Sequence, residues 1–268
     1  MCHKFILVSN LTIIEKKFSV IAGTKVEWEP HVIVFPGEET LIITQQNPKQ
    51  LTLSKFGMTP TWSKQPMSLI NARAEGNKNP DNDPLFTGGK SIFMKPAFKR
   101  PLVSQRCVVV ADAFIEWSTK TKKPYLVYLR DKVRPFGMAG LYDVWINPDN
   151  KAEIHSFTII TVPGNPLIHE LSASRMPVIL PKGRERDWLR PSNHLTDILR
   201  MLDMYPADKM NAYPICKQIE SEGPYSSEIL KPIGDRIYSE IGQKFIPQRH
   251  YGHKQKSAGS GTWRGSMG

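Results

Sequence analysis

Arg106-Cys107-Val108-Val109-Val110-Ala111-Asp112-Ala113-Phe114-Ile115-Glu116-Trp117 is the stretch from which the fold reads outward. Its run of small and β-branched residues suits a buried strand, leading into a turn where a carboxylate stands beside an aromatic ring. Similar short runs fill the first two thirds of the chain, at 31–35, 41–44, 50–56, 125–130, 136–141 and 157–162. They are rich in Val, Ile, Phe and Tyr and are punctuated by Pro, Gly, Asn and Asp. Helical patterns are few. Asn10 is placed to cap a short helix whose Leu11, Ile14 and Phe18 share a face. Two more helices are expected over 187–189 and 195–204, the second with Leu195, Ile198, Leu199 and Leu202 at helical spacing. Strands that do not alternate regularly with helices exclude a parallel doubly wound sheet. The expected fold is α+β: one domain of mostly antiparallel, curved β-sheet with a few peripheral helices.

The expected domain covers residues 1–242. Beyond it, 243–268 forms a basic, Gly/Ser-rich tail with no apolar period, which is expected to be disordered. Residues 75–100, rich in Asn, Pro, Gly and Lys, read as a long surface excursion within the domain. The 40% hydrophobic and 23% charged residues are ordinary for a soluble globular protein, so composition points to neither a fibre nor a disordered chain. The net charge of +11 is less ordinary and favours an anionic partner, nucleic acid before a membrane surface. Three cysteines, Cys2, Cys107 and Cys216, without CxxC spacing, argue against a disulfide framework or a structural zinc site. No run approaches a membrane span and the N-terminus has no signal-peptide pattern. The cytoplasm is therefore the expected location, where Cys2 persists as a thiol. No metal or organic cofactor is implied.

Cys2 is the first candidate for chemistry. Removal of Met1 would leave it with a free thiol and a free α-amine whose ordinary pKa is about 7.7–8.0, so part of it is neutral at physiological pH. A neutral amine condenses with an aldehyde to an imine, and the neighbouring thiol then closes a five-membered ring. Both nucleophiles sit on one residue, which removes the entropic cost of bringing in the second. Four further segments stand out. Leu69-Ile70-Asn71-Ala72-Arg73-Ala74-Glu75 alternates polar and apolar residues, so Asn71 and Arg73 share a face. The opening stretch ends in Phe114-Ile115-Glu116-Trp117. Phe136-Gly137-Met138-Ala139-Gly140-Leu141-Tyr142 is a strand punctuated by glycine. Arg175-Met176-Pro177-Val178-Ile179-Leu180 places a cation before a short apolar strand.

In this order the segments resemble the SRAP (SOS-response-associated peptidase) family, over about residues 1–239. The resemblance implies a largely β domain and a sensor that crosslinks to abasic sites in single-stranded DNA. The bond would be a thiazolidine formed by Cys2 after the protein has removed its own Met1, with a possible lyase activity beside it. It implies Cys2 as nucleophile and Asn71 as the residue that positions Cys2 or the sugar. Glu116 becomes the acid/base at ring opening and at the imine, a role open to a Glu whose pocket raises its pKa. Arg73 and Arg175 would each hold a backbone phosphate, a task suited to a guanidinium fork. Trp62 and Trp117 could stack on bases or simply pack. Lys4 stands where members usually carry Arg and keeps the positive charge. Phe35-Pro36 falls where members wedge an apolar turn between bases.

One departure matters. Members place a His shortly before Arg-Met-Pro as an acid/base partner, whereas this chain has Leu171-Ser172-Ala173-Ser174 there, with Ala173 near the expected position. His169 could replace it only if the preceding helix were shortened and the following loop lengthened. His3 and Ala113, each for a usual Gly, mark further divergence. Two other readings stay open. A thiol peptidase acting on other proteins would need a base beside Cys2 and an oxyanion hole. A single-strand DNA binder without chemistry would use basic and aromatic residues alone. The expected partner is single-stranded DNA containing abasic sites, the protein acting as a monomer away from membranes.

Overall fold

The computed structural model describes residues 3–240 except 25, 132–133 and 221–224. In chain order the elements are β1 (Lys4–Leu7), α1 (Leu11–Phe18), β2 (Ile21–Ala22), β3 (His31–Val34), β4 (Glu39–Thr44), β5 (Gln50–Phe56) and β6 (Asn71–Arg73). There follow α2 (Pro96–Ser104), β7 (Arg106–Ala111), β8 (Ala113–Trp117), β9 (Pro124–Leu129), β10 (Phe136–Ile146) and β11 (Glu153–Pro163). The last are α3 (Pro166–Glu170), β12 (Arg175–Pro177), α4 (Glu185–Leu189), α5 (Leu195–Arg200) and β13 (Met210–Pro214).

The opening stretch is two strands rather than one strand and a turn. β7 lies in an eight-stranded sheet and β8 in a five-stranded one, and the chain passes between them at Asp112. The buried Asp112 carboxylate accepts from the Val8 and Ser9 amides, both at 2.7 Å, and from the Ser9 hydroxyl at 2.6 Å. The end of β1 is thereby tied to the crossing point. The five-stranded sheet runs β13-β9-β8-β1-β3 with antiparallel neighbours. The larger sheet runs β12-β11-β10-β7-β4-β5-β2, with β6 beside β11. A further parallel pairing, Phe157 opposite Phe56, joins β11 to β5 and closes this sheet on itself. The other parallel pairs are β6 with β11 and β2 with β5, and the expected antiparallel curvature holds elsewhere.

Closure needs strands to approach one another closely, which explains the glycines of β10. A Cβ on Gly140 would stand 2.9 Å from both the Cys107 sulfur and the Thr158 carbonyl, on the strands at either side. The main core fills the closed sheet and the space between the two sheets. A smaller cluster, including Ile6, Ile33, Ile115 and Leu126, lies on the outer face of the five-stranded sheet, with Ile219 and Leu230 of two 3-10 turns packed into it.

Asn10 caps α1 as expected, accepting from the Ile13 amide, and Ile14 and Phe18 are buried. The helix expected to reach residue 204 ends at Arg200. α2 was not expected. Pro96 at its first turn and Pro101 inside it disguise it, although its Pro101 and Leu102 are buried. The tail expected at 243–268 lies outside the described residues.

Candidate functional site

Strand alternation sets the direction of Glu116. Phe114 belongs to the main core and Ile115 to the outer cluster, so Glu116 points inward with Phe114. Its side chain is buried, the residue being 3% exposed, and this burial pushes its carboxyl up to about 7. β1 runs antiparallel beside it, with Lys4 opposite Ile115 and Phe5 opposite Phe114. Phe5 packs edge-on against Phe56, and Phe56 stacks on Phe157, which fixes the two sheets against each other. Cys2, the expected nucleophile, lies outside the described residues. The first described residue, His3, directly precedes β1.

Asn71 and Arg73 line one side of β6, as their spacing predicts, with Ala72 buried between them. The Arg73 guanidinium donates to the Asn79 carbonyl and stands 3.5 Å from Glu75, while 30% of its side chain stays exposed. The segment leading into β6 starts at Gly57, whose φ of +115 lies in the region that favours glycine, and a Cβ there would strike the Ser68 hydroxyl. This loop, closed by the Met58–Leu69 bridge, displays Trp62 at 60% exposure. Its base is anchored to the buried Asp143, which accepts from the Thr61 amide at 2.9 Å and from Arg100 at 2.7 Å.

The ends of β8, β6 and β12 meet at one end of the molecule, whereas the Trp62 loop is anchored beside the first half of β11. The Thr119 hydroxyl, just past β8, donates to the Ser172 carbonyl at 2.9 Å. Ser172 lies in the 171–174 loop before β12, and β12 starts with Arg175 opposite Pro163 at the end of β11. β6 runs parallel to β11 and ends there too, with Arg73 beside Thr161. The structure thus gathers the ends of β8 and β6, Arg175 and Ala173. Ala173 is buried and its amide donates to the Ile168 carbonyl.

Several other expected site residues make contacts within the protein. Arg175 is 1% exposed. Its guanidinium pairs with both Glu75 oxygens and also donates to Asn82 Oδ1 at 2.8 Å and the Thr161 carbonyl at 2.9 Å. With Nε donating to Thr161 Oγ1 at 3.2 Å, every N–H of the guanidinium is directed at a protein acceptor. Replacing Arg175 with Met is expected to cost about 3–5 kcal/mol by stranding Glu75, measured by urea unfolding. A Glu75→Gln change added to it should recover part of that loss.

Lys4 alternates with Phe5 and so lies on the outer face with Ile6, away from Glu116. Its ammonium donates to the Ile219 carbonyl at 2.8 Å and sits 4.6 Å from the Phe35 ring centre. Phe35 itself is buried and stacked on Tyr225, so its ring is not an exposed wedge. Trp117 alternates to the same outer face and packs against the smaller cluster. His169 is exposed at the end of α3, and among the described residues no contact joins it to Glu116. The sequence reading missed Glu75 as the partner of two arginines and Asp143 as the anchor of the Trp62 loop. Glu75 stands in the Asn-Ala-Arg-x-Glu pattern, yet its partner is 100 residues away.

The model of the SOS response associated peptidase (SRAP) family matches residues 1–222. The chain belongs to the SRAP family. Among SRAP relatives, the abasic site processing protein YoqW of Bacillus subtilis is 33% identical over 240 residues, covering 86% of this chain and 99% of that protein. The abasic site processing protein YoaM of the same organism is 35% identical over 239 residues, covering 86% and 97%. The SRAP fold is matched by the crystal structure of a protein from Bacteroides thetaiotaomicron, with a TM-score of 0.74 at 25% identity, covering 86% of this chain and 99% of that one. Among the described residues no helix is long and apolar enough to cross a membrane.

Proposed function

We propose that this chain bonds covalently to abasic sites in single-stranded DNA through Cys2, once Met1 has been removed. The observation that carries the reading is Glu116: a buried carboxyl near half-protonation at neutral pH, on the strand paired with the start of the chain. Relatives named for abasic site processing support the same substrate.

The chemistry balances as follows. The neutral α-amine of Cys2 attacks the aldehyde carbon of the open sugar, and the carbonyl electron pair moves to oxygen, which Glu116 protonates. Glu116 recovers a proton from nitrogen, giving the carbinolamine; in a second relay it protonates the hydroxyl, which leaves as water, and takes the remaining nitrogen proton, leaving the imine. The Cys2 thiol then adds to the imine carbon, its proton passing to nitrogen, and the thiazolidine closes with net release of one water. A carboxyl with pKa about 7 both gives and takes a proton in this range. Asn71 positions the reacting groups, Arg73 holds a phosphate, and Trp62 stacks on a base. With Ala173 where relatives of the family carry an acid/base His, proton transfer falls to Glu116. The protein acts as a monomer in the cytoplasm, at the nucleoid when bound to DNA.

Intact mass spectrometry tests the reading, before and after incubation with single-stranded DNA carrying one abasic site. The expected product is the chain without Met1 plus the DNA minus one water, mapping to Cys2. A chain lacking Met1 that binds the DNA without forming this product would make it a non-covalent binder. Trp62→Ala is expected to weaken binding to the same oligonucleotide by about 1–3 kcal/mol, read by fluorescence anisotropy. Unchanged affinity would remove Trp62 from the interface.

A further inference from the structure

We propose that the turn between β8 and β9 is a second DNA contact, in which Lys120, Lys122 and Lys123 bind backbone phosphates beside the abasic nucleotide. This rests on the reading above and extends it to a part of the site that the catalytic residues do not explain. The turn begins two residues after Glu116, and residues 119–123 are all exposed. It carries three lysines and no carboxylate.

The turn is held in one shape. The Ser118 amide donates to the Lys123 carbonyl at 3.0 Å, the Lys122 amide to the Ser118 carbonyl at 2.9 Å, and the Thr121 amide to the Ser118 hydroxyl at 3.1 Å. Lys122 adopts the left-handed region at φ +53. The Thr119–Ser172 bond then fixes the turn against the 171–174 loop, whose exposed Ser172 and Ser174 add hydroxyl donors.

Several exposed cations elsewhere on the protein have acidic partners. Arg100 pairs with Asp143, Arg184 and Arg190 with Asp187, and Lys231 with Glu228. Among the described residues none of the three turn lysines pairs with a carboxylate. Three unopposed positive charges on a fixed turn raise the local potential where the DNA backbone must pass to bring its sugar to Glu116. Lysine, a compact point charge with three donors, suits phosphates whose orientation varies along a flexible single strand.

The test compares the full-length protein with a Lys120→Gln/Lys122→Gln/Lys123→Gln variant on single-stranded DNA with one abasic site. A Lys16→Gln/Lys49→Gln/Lys151→Gln variant, altered outside the β8–β9 turn, controls for net charge. Each phosphate contact contributes about −0.7 to the slope of log K against log salt. The turn variant is expected to lose about 2 from the slope's magnitude and to bind roughly tenfold more weakly near 0.15 M salt, while its adduct rate at saturating DNA is unchanged. The control should keep the wild-type slope. Equal slopes for wild type and turn variant, or equal losses in both variants, would overturn the lysine contact and leave the crosslinking reading intact. Failure of the wild-type protein to bind the DNA would overturn both.

Discussion

Replacing Cys2 with serine is expected to remove the stable adduct with abasic-site DNA entirely. Serine keeps the α-amine and remains small enough for removal of Met1, so the imine can still form. What is lost is the thiol that closes the five-membered ring. The variant should therefore give no adduct by denaturing gel or mass spectrometry, but one that appears when borohydride reduces the imine. Affinity for the DNA should change by less than about twofold, since a hydroxyl replaces a thiol of similar size and Trp62 and Arg73 are untouched. A stable adduct formed without borohydride would exclude the thiazolidine.

Glu116→Gln is expected to slow adduct formation by about 10²–10⁴, the usual contribution of a positioned acid/base. The pH dependence gives a second readout. The wild-type rate should bend near pH 7, where burial has raised the carboxyl, and the variant should lose that bend. Stability moves the opposite way. A carboxyl raised from 4.5 to about 7 binds its proton more tightly in the folded state. The stability this gives is fully present below pH 4.5 and is lost as pH rises through 7. Wild-type protein should thus be about 3 kcal/mol less stable at pH 8 than at pH 4.5 from this group, and Gln should not show that fall. Denaturant unfolding at the two pH values measures it. A slower variant with the same pH–stability curve would contradict the burial of Glu116.

Local period made part of this molecule readable from sequence. The alternation in 69–75 placed Asn71 and Arg73 on one face, and the strand at 50–56 was read with its observed ends. The β7–β8 stretch was read as buried but not as two strands, because the crossing at Asp112 depends on Val8 and Ser9, more than 100 residues away. The same reason hid the fate of Arg175. An Arg before an apolar strand reads as an exposed cation until Glu75 is known to lie across β11 from it. The face that Lys4 takes was not legible, because alternation fixes only relative directions and the core side of β1 was set by Phe5 meeting Phe56. α2 was lost to its own composition, two prolines in nine residues.

The crossing at Asp112 has a consequence for how the site fails under stress. Glu116 lies on a continuous run whose first half is built into the closed sheet and whose second half pairs with β1 and β9 on either side. Such a run has no independent way to fray. Amide protons from Val108 to Ile115 should exchange with solvent deuterium only when the whole domain unfolds, with the same free energy as global denaturation. Heat inactivation of the acid/base centre should accordingly coincide with the melting of tertiary structure, rather than precede it as it would for a centre carried on a loop.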